Sequence, residues 1–301
     1  MLSSLDPSSQ QFLDNLNRIS DAMSTAQQQM STGLKISSVS DAPDQISTLL
    51  QARAGLSSTQ QILSNLGRQK TEVDAGEQSL ESAVQLFEQA QTLGAEGDTS
   101  TLSADQRTTL SQQVGTIMQQ MVGLAGTTVE GRFIFSGDSD QQAPYTIDLT
   151  QANPVSAYQG STATRVAQHP NGTTFPISLT AQQIFDSSDP TTNVFTSLNN
   201  LRTALANNDD TAIQTAVDAL PKVDTYLNDQ LAFYGNAQNQ VAEATDYGQT
   251  LQTEIQTQIS NLQDADLTDA ILQLTQAQTQ QQAALTARAQ LPRTTLFNFI
   301  G

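Results

Sequence analysis

Two narrow apolar stripes, one at each end of the chain, limit the folds open to it. Near the start, Phe12, Leu16, Ile19, Met23, Ala26 and Met30 recur at spacings of four, three, four, three and four. Near the end, Leu267, Ile271, Leu274, Ala277, Ala284 and Leu285 follow a similar helical period. Spacings that alternate between three and four set one residue per turn on a single line. That is the seam of a coiled coil rather than the broader stripe of a helix covering a globular core. Such a seam must be buried against another helix, and the first partner available is the other end of the same chain, supplemented by other copies. The expected assembly seam is therefore Phe12, Leu16, Ile19, Met23 and Met30 with Leu267, Ile271, Leu274, Ala277 and Leu285.

The first helix should stop at Gly33, with 37–43 as a connecting loop. Asp41 before Pro43 and Asp44 places acidic residues at the positive N-terminal end of a second helix. That helix runs through Ile46, Leu49, Leu56, Leu63, Val73, Leu80, Phe87 and Ala90 to the break at 94–97. Unbroken, its roughly 50 residues would extend about 75 Å. Gly67 and Gly76 each weaken it by about 1 kcal/mol relative to Ala, which leaves room for a kink or interruption near either. A third helix opens at Ser103, where Gln106 completes a reciprocal capping box, and carries Leu110, Val114, Ile117, Met121 and Leu124.

From Gly131 the pattern changes to short β-prone runs at 133–135, 145–147, 155–158, 164–166 and 175–179, separated by Gly137, Gly160 and Asn171-Gly172. Helical periodicity returns at Phe195 and continues, past a turn at 207–210, to Leu262. Pro292 should end the last helix, leaving the apolar tail Leu296 to Ile300. The fold class read from this order is mainly α: an elongated helical bundle with coiled-coil terminal helices and a small β-rich inserted domain. Its expected parts are a terminal assembly region (1–40 and 265–301), a long-helix bundle (41–130 and 191–264) and a β-rich outer domain (131–190). The last is expected to be peripheral and replaceable by a linker.

Composition excludes several functions. The 301 residues hold 12 Lys or Arg against 30 Asp or Glu, a net charge of −18, which a nucleic-acid duplex would repel. The charge is unevenly placed: 1–70 and 270–301 balance at +2, and 71–269 at −20. Ends that pack against other copies thus carry little charge to oppose it. No apolar run is long enough to span a membrane, and Met1 to Pro7 lack the basic start of a cleaved signal peptide. With no cysteine there is no thiol chemistry, and the single His169 sits in a turn-like His-Pro-Asn-Gly run, a poor base for a catalytic triad. Asp264 and Asp266 lack the regular oxygen spacing and sharp-turn glycine of a calcium loop and read as helix caps. Neither a cofactor nor a metal site is expected. The Gln-rich run 273–282 keeps Leu274 and Ala277 in period and reads as a polar-faced helix.

The runs Asn15-Leu16-Asn17-Arg18-Ile19, Met30 to Ile36 and Ser40-Asp41-Ala42-Pro43-Asp44 resemble the amino-terminal region of the bacterial flagellin and hook-associated protein 3 superfamily. Gly235-Asn236-Ala237-Gln238-Asn239 and Ser260 to Asp266 are similar to its carboxyl-terminal signature, and Gly131 to Gly137 resembles the hook-associated branch. The resemblance implies a structural, non-enzymatic subunit of the flagellar axis, exported by the flagellar type III apparatus without a cleaved signal and located outside the cell. Its implied partners are copies of itself and neighbouring axial proteins, namely hook-associated proteins and flagellin, with an export chaperone as a further candidate. Three readings stand at this point: a hook–filament junction subunit, a short flagellin of the filament, and, in another class, a secreted coiled-coil protein such as a translocator or adhesin.

Overall fold

Helix-forming periodicity dominates the computed structural model, which describes residues 7–38 and 40–290. In chain order these form α1 (Pro7–Thr32), α2 (Ile46–Gly97), α3 (Ala104–Ala125), β1 (Thr128–Val129), β2 (Arg132–Phe133), β3 (Val166–Gln168), β4 (Thr174–Pro176), α4 (Ala181–Phe185), α5 (Val194–Ala206), α6 (Asp210–Gln263) and α7 (Leu267–Gln290). The expected stop at Pro292 and the tail 296–300 lie outside the described residues. No described helix is long and apolar enough to cross a membrane.

Contacts divide the chain into two compact units, one holding the residues up to Ser58 and from Gln252, the other Thr59–Leu251. These divisions cut α2 and α6 within the helices, whereas the expected boundaries fell in the loops around 40 and 265.

The Thr59–Leu251 unit has one core. Leu110, Val114, Met118 and Met121 of α3 meet α5, whose Val194, Leu198, Leu201 and Leu205 are buried, and Leu80 and Phe87 of α2 and Val223 and Leu227 of α6 belong to the same cluster. The segment 131–190 belongs to it as well. Phe135, Tyr145, Ala167, Ile177, Ile184 and Phe185 are all buried there. Phe135 meets Phe185 edge to face at 6.5 Å and Tyr234 of α6 at 6.1 Å. An ion cluster also ties this segment to α2: Arg165 reaches Glu72 at 2.8 Å and Asp140 at 3.3 Å, and Arg132 reaches Glu72 at 3.3 Å. The packing thus departs from the expected peripheral insert.

Its β content is correspondingly slight. β1 and β2 are joined by Glu130 and Gly131, both at positive φ (52° and 76°), the backbone of a type I′ turn. β3 and β4 form a second antiparallel pair around Asn171-Gly172, and 147 and 155 meet only as an isolated bridge. The apolar run ending at Leu179 leads instead into α4, where Thr180 and Gln183 repeat the capping box of Ser103 and Gln106. Gly137 explains the glycine of its motif: at φ 62°, a Cβ there would lie 2.5 Å from the Ser161 carbonyl oxygen.

At one end of this unit the buried Arg107 fixes two turns at once. It donates to the carbonyls of Gly97 (3.0 Å) and Thr99 (3.4 Å) and to Asn208 Oδ1 (2.9 Å), and pairs with Asp210. Pro221 lies inside α6, where its missing N–H weakens the ladder, and burial of Leu220, Val223 and Leu227 around it offsets that loss.

α2 passes through both Gly67 and Gly76 without interruption, and the two glycines differ in surroundings. Nothing lies within 4 Å of a Cβ built at Gly67, whereas one at Gly76 would come within 2.4 Å of the Tyr234 ring, a fully buried side chain. Gly67→Ala should therefore stabilise the protein by about 1 kcal/mol through helix propensity. Gly76→Ala should destabilise it by about 1–3 kcal/mol through overpacking. Urea denaturation checks this, and shifts of the same sign in both variants would contradict it.

Candidate functional site

In the unit that holds both ends, α1 and α7 pack along one another. They run antiparallel: Arg288 near the end of α7 donates to Ser9 Oγ at 2.7 Å and stacks over Phe12 at 5.6 Å, while the end of α1 meets the start of α7. Gly33, at φ 71°, terminates α1 as a C-terminal glycine cap, its N–H donating to the Gln29 carbonyl. The loop that follows pairs with 263–265: Lys35 N–H donates to the Gln263 carbonyl at 2.6 Å, and Ala265 N–H to the Gly33 carbonyl at 2.9 Å. Asp266 caps α7 by accepting from Thr268 N–H at 2.8 Å.

The 33–45 loop owes its shape to Asp41. Its carboxylate accepts from the backbone N–H and hydroxyl of both Ser37 and Ser38, at 2.6–3.0 Å. These bonds, those from Ser38 first, lower its pKa to about 2, so the loop keeps its anion throughout the physiological range. Beneath it Ile36, Ala42 and Leu49 form a small core with Ile46, Ile259 and Leu262. Arg53 donates to Gln263 Oε1 at 2.9 Å on the same side. The residues of the amino-terminal and Ser260-to-Asp266 motifs are thus partners in one folded connection.

The expected seam residues separate into two groups. On α1, Phe12, Leu16, Ile19 and Met23 are half-buried and Ala26 is fully buried, but Met30 is 39% exposed. On α7 the residues drawn inward are Ala270, Leu274, Ala277, Gln281 and Ala284, again spaced four, three, four and three. Leu274 and Ala277 therefore lie in the seam within the chain. Leu267 (49%), Ile271 (49%) and Leu285 (51%) do not. They stand roughly 60–100° around the helix from the inward line, at 100° per residue. α1 Leu13 and α2 Leu50 are likewise exposed. The unit thus has a closed seam and, beside it on α7, an apolar flank with no partner among the described residues.

The other motifs act in the second unit. Gln238 Nε2 donates to Asp74 Oδ1 at 3.0 Å and to Glu77 of the same helix, so the Gly235-to-Asn239 motif fastens α6 to α2. Among the described residues there is no group of three His, Cys, Asp or Glu side chains able to hold a metal. His169 stands at a hairpin tip against Tyr247, its Nδ1 accepting from Asn171 N–H.

Comparison with known proteins gives consistent results. The model of the bacterial flagellin N-terminal helical region matches residues 6–140, and that of the flagellin C-terminal helical region matches residues 211–300. No curated protein matches the sequence. Among solved structures, a protein from Vibrio parahaemolyticus described as a flagellar hook-associated protein aligns with a TM-score of 0.65 at 18% identity, over 74% of this chain and 100% of its own. Xanthomonas campestris FlgL aligns at 0.59 with 15% identity, over 70% and 99%. The flagellar junction protein FlgL of Legionella pneumophila aligns at 0.54 with 12% identity, over 66% and 99%.

Proposed function

The chain belongs to the bacterial flagellin family, and from that membership we propose that it is a non-enzymatic subunit of the flagellar axis placed where the hook meets the filament. The observation that carries this reading is the antiparallel α1–α7 pair, which closes one seam within the chain and leaves Leu267, Ile271 and Leu285 outside it. An apolar flank left open on an otherwise polar helix is suited to packing against another helix of the same kind. The near-neutral charge of the ends, +2 against −20 for residues 71–269, lets copies approach there. The fold shared with FlgL proteins supports the junction over other axial positions.

The partners in this reading are further copies of the chain and the adjoining hook-associated proteins and flagellin. Delivery is by flagellar export without a cleaved signal, with a chaperone in transit. A second reading, a filament subunit, is favoured by the match of both ends to flagellin itself and by Leu291-Pro292 before the tail. Immunogold labelling of intact flagella separates the two. The junction role gives a single band at the hook–filament boundary, and a uniform coat along the filament would replace it with the second reading.

A further inference from the structure

The β3–β4 hairpin ends in a tip with more internal bonding than a turn of five residues needs. His169 N–H donates to the Thr173 carbonyl (2.8 Å), Gly172 N–H to the His169 carbonyl (2.9 Å) and Asn171 N–H to His169 Nδ1 (3.1 Å). Thr173 donates to Asn171 Oδ1 through both its N–H (2.9 Å) and its hydroxyl (2.7 Å). A tip braced in this way is a rigid object, and it rests on α6. The His169 ring lies over Tyr247 with centroids 5.0 Å apart. Beside it Gly248 is buried, and a Cβ there would come within 2.7 Å of Leu63 of α2 and 3.1 Å of Pro170. The bare backbone of Gly248 is thus a seat on which a residue of α2 and a residue of the hairpin converge. Further along the hairpin, Gln69 of α2 donates to the Val166 carbonyl at 3.4 Å.

We propose that this hairpin is a strap that pins α2 to α6 at Leu63 and Gly248, near the limit of the Thr59–Leu251 unit. Around Leu80 and Phe87 of α2 and Leu220 to Leu227 of α6 the two helices share the main core, which holds them without help. At Leu63 and Gly248 core side chains are fewer: Leu66, Val241 and Ala244 are the last members of the buried apolar cluster, with Ile62 packed half-buried against it and Thr59 buried beyond. Tyr247 itself is exposed apart from its ring contact. Without a strap, helices joined by so few buried residues open locally at low free energy. The single histidine then has a role that is neither catalytic nor metal-binding: its flat ring and its Nδ1 acceptor serve, respectively, contact with Tyr247 and bracing of the tip.

Hydrogen exchange on the full-length protein, read by segment, tests this. The double variant His169→Gly, Pro170→Gly should speed exchange in 60–69 and 241–251 by about tenfold, a change of about 1.4 kcal/mol in local opening, and leave 104–125 in α3 unchanged. Gly248→Val, which unseats the tip with its sequence intact, should do the same, and His169→Phe, which keeps a flat ring over Tyr247, should retain most of the protection that the double variant loses. Equal acceleration in α3 would reduce the hairpin to an ordinary contributor to global stability. Unchanged exchange in Gly248→Val would show that α2 and α6 hold together there without it. Either result overturns the proposal.

Discussion

Replacing residues 140–185 with a short Gly-Ser linker is expected to unfold the Thr59–Leu251 unit. The deleted stretch contains Tyr145, Ile177, Ile184 and Phe185, each at most 5% exposed. At about 1.5–3 kcal/mol for each buried large side chain, these four contribute about 6–12 kcal/mol, comparable to the whole stability of an ordinary domain at about 5–15 kcal/mol. The damage extends to what remains. Phe135 and Tyr234 lose the surfaces that cover them, the Tyr158 hydroxyl no longer donates to the Phe135 carbonyl at 3.0 Å, Glu72 loses Arg165, and Arg132 loses Asp140. The variant should keep helical far-ultraviolet dichroism in part, bind a hydrophobic dye and melt without a cooperative transition. A cooperative transition at the unaltered temperature would return the segment to the peripheral role its sequence suggests.

The difference between the peripheral insert its sequence suggests and its packing into the core has a physical source. Runs such as Phe175 to Leu179 are too short for periodicity to separate a strand from a loop that inserts apolar side chains into a helical core. Their burial depends on residues far away in sequence, Tyr234 above all, and no local pattern encodes it. A local signal does exist: Thr180 followed by Gln183 is the same reciprocal cap as Ser103 and Gln106 of α3. Gly76 is a similar case. Its backbone freedom suggested a weak point in α2, but the glycine is there because the Tyr234 ring leaves no room for a Cβ.

At the chain ends, legibility followed side-chain contrast. On α1 the inward line carries Phe, Leu, Ile, Met and Ala against Gln, Ser and Asp, and its 4-3-4-3 spacing was read directly. On α7 the inward line is Ala270, Leu274, Ala277, Gln281 and Ala284, only one of them large. Counting the bulky residues therefore drew in Leu267, Ile271 and Leu285, which belong to the neighbouring flank. Small residues and a glutamine on the closed side, with leucine and isoleucine on the open side, invert the usual cue that the largest apolar groups mark the buried face.

This inversion gives the assembly prediction three arms. Leu274 is half-buried between α1 and α7, and an aspartate there would be partly desolvated with no cation beside it, a penalty of several kcal/mol. Helices of this length are marginal in water without a partner, so Leu274→Asp should separate α1 from α7. The expected result is abolished motility, with the protein still exported into the medium and its helical content reduced by about the share of these two helices. Gln276→Asp, on an exposed position of α7 away from both the inward line and the open flank, should alter stability by less than about 0.5 kcal/mol and leave motility near normal. Ile271→Asp is the deciding arm. Ile271 is 49% exposed in the single chain, so the substitution should leave the isolated protein's helicity and melting unchanged. If the open flank is where copies meet, it should nonetheless block incorporation into flagella as completely as Leu274→Asp. Motility of the Ile271→Asp strain equal to that of Gln276→Asp would mean that the flank stays in water in the assembled axis and that subunits meet elsewhere.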